Sequence, residues 1–314
     1  ILKVRSEDNY RGLLEGENKI YLPGHKLPKN IVPALTWDEV EKRTDGELEL
    51  VVSGLPSSAI KNFCEENKEL VLSYLEKEIP FVSLSKGIDP DTLELPDDLF
   101  YDYFPKFRDS FCFLSGPSFA KEILEEQITL VSLAGRSYYN LFKVAEMLQT
   151  SYFRCLPTYD VKGVLLGGAL KNILAIAAGI IEGLGYNHNT RAAMITRGIV
   201  EMRRFGVVFN ARPETFYGLS GMGDLILTST GGLSRNKLFG LEIAKGRSAE
   251  EIIKSQRTVV EGYKTTKAAY LLSQKYQIKS RIFVGLYKVL YKGVDPSQTI
   301  AAVMKSPITF ELQP

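Results

Sequence analysis

The sequence predicts an α/β domain followed by an all-helical one, and three observations lead to this fold class. Short β-rich apolar runs alternate with helix-like stretches up to about residue 157. From Val161 onward, helix-like stretches follow one another, joined by glycines and polar turns. The 314 residues are enough for two domains, each with its own core. We therefore predict a doubly wound, Rossmann-like domain over residues 1–157 and a helical domain over residues 158–314.

Five short runs carry the strand prediction, and each is apolar and rich in residues that favour strands. They cover residues 1–4, 48–56, 79–87, 110–118 and 128–135. Helix-like stretches lie between them at roughly 57–77 and 136–149. Strands that alternate with helices form mostly parallel sheets, and ligands bind at the carboxyl ends of such strands. The strand endings GLPS, SKG and SGPS therefore predict where a ligand lies.

The second half of the chain is predicted as eight helices, with no confident strand after about residue 157. The predicted helices cover residues 161–183, 190–209, 214–229, 234–245, 248–255, 260–275, 282–292 and 296–304. We expect a cleft between this helical domain and the α/β domain.

A glycine-rich nucleotide-binding motif is missing from this sequence. In dinucleotide-binding domains Gly-x-Gly-x-x-Gly follows the first strand and lets a helix N-terminus approach a pyrophosphate. The glycine cluster GLSGMGD, residues 218–224, lies within helical sequence and lacks the third glycine at the spacing that the motif requires. Either the protein does not bind a nucleotide, or its first strand and glycine loop lie upstream of Ile1. The second interpretation fits the run ILKV as the second strand of the sheet.

The composition argues against several other classes of protein. The net charge is +2, from 39 basic and 37 acidic residues, so no global charge favours nucleic acid. No run approaches 18 uninterrupted apolar residues, and we predict no membrane span. Cys64, Cys112 and Cys155 lack metal-ligand or redox spacing, and two histidines are too few for a histidine-rich site. We predict no metal site, reduced thiols and a cytoplasmic location.

Residues 167–185, GGALKNILAIAAGIIEGLG, carry a lysine and an asparagine side by side, Lys171 and Asn172, in an otherwise apolar helix pattern. A buried lysine is rare unless it is paired or functional. The alternative is a stem that lies along apolar surface with its ammonium group in water. Gly167 and Gly168 permit close backbone approach one turn earlier, which favours a site. In a partly dry cleft near another cation, the pKa of Lys171 would fall toward neutrality, which suits proton transfer.

A second cation candidate, Lys86, ends the strand-like run SLSKGI. At a carboxyl end it can point into the crevice, and on local evidence an ordinary loop lysine is an equal alternative. Asp224 lies four residues before Thr228, so both belong to one helix face.

The segment SRN, residues 234–236, follows a Gly-Gly turn at a predicted helix start. Ser234 at the N-cap, with Arg235 and Asn236 in the first turn, would form a phosphate cradle of exposed N–H groups, a hydroxyl and a forked donor. The alternative is an ordinary helix cap, with Arg235 in a surface ion pair.

These segments together resemble the bacterial type of NAD(P)-dependent glycerol-3-phosphate dehydrogenase. The resemblance runs in order from about Tyr21 to Leu290, and its most specific part is the combination of the ALKN helix with the SRN segment. The segments that carry it are LSKGI, LSGPSFAKE, DVKGVLLGGALKNILAIAAGIIEGLG, TRAAMITRGIVEMRRFG, GLSGMGDLILTST, LSRNKLFG and VVEGYKT.

The resemblance implies a role for each residue that matches the family's motifs. Lys171 is the implied proton donor and acceptor, Lys86 contacts substrate and nicotinamide, and Asp224 holds Lys171. The other residues implied to bind substrate are Gly116, Ser118, Asn172, Thr228, Ser234, Arg235 and Asn236. The residues implied to contact the cofactor are Lys86, Ala120, Arg235, Val259 and Glu261.

The implied reaction is the reversible reduction of dihydroxyacetone phosphate to sn-glycerol 3-phosphate, which supplies phospholipid synthesis. The cofactor is NAD or NADP, since Arg5, Glu7 and Asp8 after the first run leave both possible. The expected partner is a small phosphorylated substrate. The apolar helices 173–183 and 282–292 could serve either as core or as the interface of a homodimer. Two alternatives stay open: another two-domain hydroxy-acid or sugar-acid dehydrogenase, and a non-catalytic ligand sensor that lacks the glycine loop.

Overall fold

The computed structural model describes residues 1–255 and 260–305, and this part of the chain contains seven β-strands and fifteen α-helices. The strands are β1 Leu2–Lys3, β2 Pro33–Ala34, β3 Val51–Ser53, β4 Phe81–Ser83, β5 Phe111–Ser115, β6 Thr129–Gly135 and β7 Phe153–Thr158. The helices of the first half are α1 Glu7–Leu14, α2 Trp37–Thr44, α3 Ile60–Glu66, α4 Lys68–Glu76, α5 Pro96–Tyr103, α6 Ala120–Leu124 and α7 Tyr138–Leu148. Those of the second half are α8 Val161–Gly183, α9 His188–Val208, α10 Asp224–Thr230, α11 Arg235–Ala244, α12 Ala249–Ser255, α13 Glu261–Lys275, α14 Arg281–Lys292 and α15 Pro296–Met304.

The main sheet has five strands in the order β3-β4-β5-β6-β7. All neighbouring pairs are parallel except β5 and β6, which run antiparallel with Phe113 opposite Ala134. The segment between β5 and β6 contains only the five-residue helix α6, and the chain reverses direction there instead of crossing over the sheet. The prediction of a mostly parallel, Rossmann-like sheet followed by helices is confirmed.

The run ILKV forms β1, which pairs with β2 in a parallel two-stranded sheet of its own. In the described residues its hydrogen bonds go to β2 and not to the five-stranded sheet, where β3 is an edge strand. Two helices near this pair escaped prediction, although their caps were visible in the sequence. The Ser6 hydroxyl accepts from the amide of Asn9, 3.1 Å away, and Thr36 caps α2 in the same way.

The helix predicted over residues 57–77 is interrupted. A 3₁₀ turn, Ser57–Ala59, precedes α3, and Asn67 separates α3 from α4 with non-helical dihedral angles. The backbone amide of Asn67 donates to the carbonyl oxygen of Phe63 at 3.0 Å, and the Asn67 side-chain amide donates to the same oxygen at 2.9 Å, so both close the end of α3. The stretch is thereby divided into two short helices, and buried side chains of both belong to the core that contains Phe81 of β4.

Aromatic rings fill the space between the main sheet and α5. The ring centroids of Phe100 and Phe111 are 5.0 Å apart, and Phe81 lies 5.2 Å from Phe100 and 5.4 Å from Phe111. All three side chains are withdrawn from water. Because large apolar side chains gain most from burial, this cluster anchors the strands whose carboxyl ends form the cleft.

Helix α8 is the central element of the helical half. Among the described residues, it is the only helix whose length and composition would allow it to cross a membrane. Its apolar stretch is entirely buried inside the protein. Helices α9, α10, α11 and α13 pack around it. An apolar helix that is enclosed on all sides is a core helix, and its polar residues need partners there.

The start of α8 joins the two halves of the chain. The ammonium group of Lys162 lies 2.9 Å from the carboxylate of Asp97 and 2.6 Å from that of Asp98, both on α5. The Asp160 carboxylate caps α8 by accepting from the amide of Gly163 at 3.0 Å, and its other oxygen accepts from the Thr215 hydroxyl at 2.6 Å. The predicted boundary after residue 157 falls inside β7, which ends at residue 158, and it stays a prediction.

Candidate active site

Lys171 is buried in the middle of α8, with 7% of its side chain exposed. Its ammonium nitrogen lies 3.0 Å from Oδ1 of Asp224. The two glycines before it let other backbone and side-chain atoms come close, as expected. A Cβ on Gly167 would lie 2.7 Å from the carbonyl oxygen of Ser220, and one on Gly168 would lie 2.5 Å from the hydroxyl of Ser115. Small residues thus bring Lys171 to the end of the sheet.

Lys86 reaches the same carboxylate from the other side. It follows β4, and its ammonium nitrogen lies 2.9 Å from Oδ2 of Asp224. The same nitrogen donates to the carbonyl oxygen of Gly116 at 2.9 Å and to the Ser118 hydroxyl at 3.4 Å. Each oxygen of Asp224 therefore binds one lysine, and the two cations meet at the carboxyl ends of β4 and β5.

The position of Asp224 depends on an unusual turn. The predicted helix 214–229 is a 3₁₀ turn, Pro213–Tyr217, then a turn of π-helix, Leu219–Gly223, and then α10, which Asp224 begins. Turns of π-helix occur often at functional sites. Gly221 is required here, because a Cβ on it would lie 2.3 Å from the carbonyl oxygen of Phe216. Asp224 is consequently held in the cleft with about 1% of its surface exposed.

The electrostatics of the cluster lower the pKa of Lys171 to about 8. Burial is the main cause, because it disfavours the charged form, and the positive charge of Lys86 acts in the same direction. The carboxylates of Asp224 and Glu261 oppose both effects. An ammonium group that titrates near neutral pH can give up and regain a proton, which is what acid–base catalysis needs.

Asn172 and Asn236, both predicted to bind substrate, form a relay of side-chain amides. The Asn172 nitrogen donates to the carbonyl oxygens of Lys86 at 3.2 Å and Gly168 at 3.4 Å. Its oxygen accepts from Asn236 at 2.9 Å, and the Asn236 oxygen accepts from the amide of Gly262 at 3.0 Å. Asn172 thus ties the backbone of Lys86 to α8, while Asn236 links α8 to α13.

The predicted phosphate cradle begins α11 as expected. Ser234 is its N-cap, and the Ser234 hydroxyl accepts from the amide of Lys237 at 3.3 Å. Arg235 is exposed, and its positive charge lowers the pKa of Glu261. Thr228 lies one turn after Asp224, and its hydroxyl donates to the Asp224 carbonyl oxygen at 2.8 Å and not to the carboxylate.

Glu261 faces the same group of cations from the start of α13. Burial raises the pKa of its carboxyl group, while Arg235, Lys171 and Lys86 lower it. The backbone amide of Ser57 donates a hydrogen bond to this carboxylate. In the sequence, only the strand ending GLPS points to Ser57.

Of the remaining predicted cofactor contacts, Ala120 is exposed at the start of α6. Val259 lies outside the described residues. One group that the sequence analysis missed is the hydroxyl of Ser115, which is buried and has no hydrogen-bond partner among the described residues. It lies beside Gly168 at the carboxyl end of β5. The strand ending SGPS was its only sequence signal.

A further apolar cavity of the described residues lies elsewhere. It measures about 650 Å³ and is an open groove between α8, α9, α14 and α15, with mostly apolar walls. None of the predicted site residues lines it. We place the candidate site in the cleft, because the paired charges and the lowered pKa of Lys171 are found there.

The fold and the cleft define a class of protein. Parallel strands end at a junction with a helical domain, and a buried lysine from that domain meets a lysine from a strand end. This is the arrangement of two-domain dehydrogenases, in which a dinucleotide lies along the carboxyl ends of the strands.

The chain belongs to the NAD-dependent glycerol-3-phosphate dehydrogenase family. The family's N-terminal model matches residues 9–140 and its C-terminal model matches residues 160–301. The resemblance seen in the sequence is thereby confirmed.

Relatives in two bacteria and one solved structure extend this result. The glycerol-3-phosphate dehydrogenase (NAD(P)+) of Leptospira biflexa is 39% identical over 312 residues, which cover 99% of this chain and 91% of that protein. The protein of the same name from Citrifermentans bemidjiense is 42% identical and covers 92% of this chain and 84% of its own length. The crystal structure of glycerol-3-phosphate dehydrogenase from Coxiella burnetii is 30% identical, with a TM-score of 0.87, and covers 97% of this chain and 91% of that one.

Proposed function

We propose that this protein interconverts dihydroxyacetone phosphate and sn-glycerol 3-phosphate with NAD(H) or NADP(H). The observation that carries the proposal is the pair of lysines on Asp224. Lys86 and Lys171 each lie within 3.0 Å of one oxygen of that carboxylate, where strand ends meet α8. Family membership and the names of the relatives support the same reaction.

The residues at the strand ends fit a nicotinamide nucleotide. The hydroxyls of Ser53 and Ser115, at the ends of β3 and β5, are buried without a hydrogen-bond partner in the described residues, so polar donors are available there. A Cβ on Gly54 would meet nothing within 4 Å, which leaves room beside β3. The residues that would contact the cofactor are Lys86, Ala120, Arg235, Val259 and Glu261. The chemistry that a bound nicotinamide contributes is the hydride.

Lys171 would exchange the proton of the reaction. In the reducing direction the carbonyl carbon gains a hydride, the C=O electron pair moves to oxygen, and that oxygen takes a proton from Nζ of Lys171. The positive charges of Lys86 and Lys171 stabilise the negative charge that grows on the oxygen. Asp224 holds both ammonium groups in place and raises the pKa of Lys171, which keeps more of it protonated.

The start of α11 would bind the phosphate group of the substrate. The N-terminus of this helix favours anions, and Arg235 offers a forked cationic donor. Asn236 keeps one amide hydrogen beyond the one that it gives to Asn172. Binding at this end supplies orientation and remote binding energy for the reaction at the carbonyl carbon. Gly116, Ser118 and Thr228 would line the remaining wall.

Three further features belong to the proposal. The protein acts in the cytoplasm, where its reduced thiols are stable, since Cys64, Cys112 and Cys155 are buried and unpaired. It supplies glycerol 3-phosphate for phospholipid synthesis. It forms a homodimer, in which α8 stays in the core of each copy because the protein encloses it.

The reaction is tested with the purified protein, including any residues that precede Ile1 in its natural sequence. We expect oxidation of NADH or NADPH that depends on dihydroxyacetone phosphate, with unphosphorylated dihydroxyacetone a far poorer substrate. Oxidation with hydroxy-acid or sugar-acid partners instead would favour the other dehydrogenase class. Binding of glycerol 3-phosphate without any turnover would favour the ligand sensor.

A further inference from the structure

The first turn of α11 is pressed against the backbone of α8. A Cβ on Gly179 would lie 2.0 Å from the carbonyl oxygen of Lys237, and a Cβ on Gly240 would lie 2.1 Å from the carbonyl oxygen of Ile176. The predicted phosphate cradle therefore sits on a helix that touches the helix of Lys171 backbone to backbone. Contacts between polar side chains of α11 and α8, such as the hydrogen bond of Asn236 with Asn172, can then set the orientation of the cradle along α8.

Such a contact exists at Lys237, which is buried although it is charged. Its side chain is 8% exposed, and its ammonium nitrogen lies 3.0 Å from Oε2 of Glu182 near the end of α8. The same oxygen lies 2.8 Å from a guanidinium nitrogen of Arg191 in the first turn of α9. The three side chains form an ion triad that joins α8, α9 and α11.

Lys237 also holds the turn that precedes the cradle. Its ammonium nitrogen donates to the carbonyl oxygen of Thr230 at 3.2 Å. Thr230 is the last residue of α10, the helix that Asp224 begins. The ammonium group of Lys237 therefore ties the end of α10 to the first turn of α11. The segment between these two places contains Ser234, Arg235 and Asn236.

Lys237 acts at a distance from the reacting atoms. Its partner Glu182 lies eleven residues after Lys171 on α8, which is about 16 Å at 1.5 Å per residue. A triose phosphate does not span that length. A substrate whose carbonyl carbon lies at Lys171 therefore does not reach the ammonium group of Lys237. Its influence on the reaction has to pass through the segment that it holds.

We propose that Lys237, fixed by Glu182 and Arg191, is the positioning residue of the phosphate site. It holds the segment 231–236 in the geometry that binds a phosphate monoester, so that the segment loses little freedom when the ligand arrives. The proposal rests on the proposed function for the identity of the ligand. Lys237, Glu182 and Arg191 are not among the site residues that the sequence predicts.

The experiment compares Lys237→Met, Glu182→Gln and Lys237→Arg in the full-length protein. With Lys237→Met or Glu182→Gln, we expect KM for dihydroxyacetone phosphate to rise roughly tenfold, with kcat within about twofold. The kcat/KM for unphosphorylated dihydroxyacetone should stay unchanged, so the preference for the phosphorylated substrate falls by the same factor. Lys237→Arg should restore that preference, because its guanidinium can reach both Glu182 and Thr230.

Lys245→Met is the matched control. Lys245 is the C-cap of the same helix and pairs with Glu242 at 2.6 Å, but on the surface. An equal loss with both substrates would show a general structural role and overturn the proposal, as would an unchanged preference in Lys237→Met and Glu182→Gln.

The affinity for glycerol 3-phosphate, measured by calorimetry, tests the positioning role of Lys237 independently of the proposed reaction. If the unaltered protein binds that ligand without turnover, the reaction is wrong, and a loss of affinity in Glu182→Gln still supports the positioning role. If the unaltered protein shows neither binding nor turnover, both proposals fail.

Discussion

The ammonium nitrogen of Lys171 lies 3.0 Å from Oδ1 of Asp224, and both groups are almost entirely withdrawn from water. The second oxygen of this carboxylate is bound to Lys86. One negative charge thus serves two positive ones, and the cluster keeps an excess positive charge at the place where an oxyanion would form. Because charges interact more strongly away from water, small changes here should have large effects on turnover.

The pH dependence of turnover should follow Lys171, whose pKa is about 8. In the reducing direction Lys171 must be protonated, so kcat falls as pH rises through about 8. In the oxidising direction the neutral amine accepts the proton, so kcat rises over the same range. Asp224→Asn removes a charge that raises this pKa, and the falling limb should move to lower pH. Steady-state rates across pH measure it; identical limbs in both proteins would contradict the assignment.

Replacement of Lys171 by Met should remove the proton donor while it keeps an apolar stem of similar length. We expect kcat to fall roughly a hundredfold or more, the usual scale for a positioned acid–base group. Lys162→Met is the control, because it removes another partly buried lysine that is paired with carboxylates outside the cleft. Near-normal turnover in Lys171→Met would exclude the assigned role.

Arg235→Ala should weaken binding of the phosphate end. We expect KM for dihydroxyacetone phosphate to rise by roughly tenfold or more, since a charge-assisted contact is lost. The effect on unphosphorylated dihydroxyacetone should be small. The measurement is a pair of substrate titrations, with the exposed Arg247→Ala as control. An unchanged KM would contradict the phosphate assignment.

Gly179→Ala should destabilise the fold, because its new methyl group would overlap the backbone of α11. We expect the free energy of unfolding to fall by about 1–3 kcal/mol, the range for overpacking in a tight core. Gly232→Ala makes the same chemical change where a Cβ meets nothing within 4 Å, and it should be close to neutral. Urea unfolding of the two variants decides; equal stabilities would mean that the helices can separate at no cost.

Glu201 should make stability depend on pH. Burial raises the pKa of this carboxyl group to about 7, although the amides of Ile282 and Phe283 at the start of α14 donate to it. Between about 4.5 and 7 the folded protein keeps a proton that the unfolded chain releases, so the free energy of unfolding falls as pH rises through this window.

Glu201→Gln should remove that decline. Urea unfolding at several pH values measures the slope, and the exposed Glu76→Gln serves as control because it removes a carboxylate far from α14. If both variants keep the slope of the unaltered protein, Glu201 is not its source.

Local patterns in the sequence were sufficient for much of the architecture. The apolar patterns in the sequence correctly predicted strands β4, β5 and β6 and the long helix α8. Such patterns are local, so they can be interpreted without knowledge of distant residues. The caps of α1 and α2 were visible but went unused, and β7 was missed because its polar and apolar residues do not read as one buried run. The motif segments also identified the family and the residue types of the site.

Only the tertiary structure decided how those residues meet. Lys86 and Asp224 are separated by 138 positions and Lys171 and Asp224 by 53, so no local pattern reports their contact. Each oxygen of the Asp224 carboxylate binds a different lysine. This arrangement depends on the π-helical turn before Asp224 and on the glycines that let α8 approach the sheet. The triad of Lys237, Glu182 and Arg191 was likewise invisible in the sequence, because buried charges are placed by the packing of whole helices and not by their neighbours along the chain.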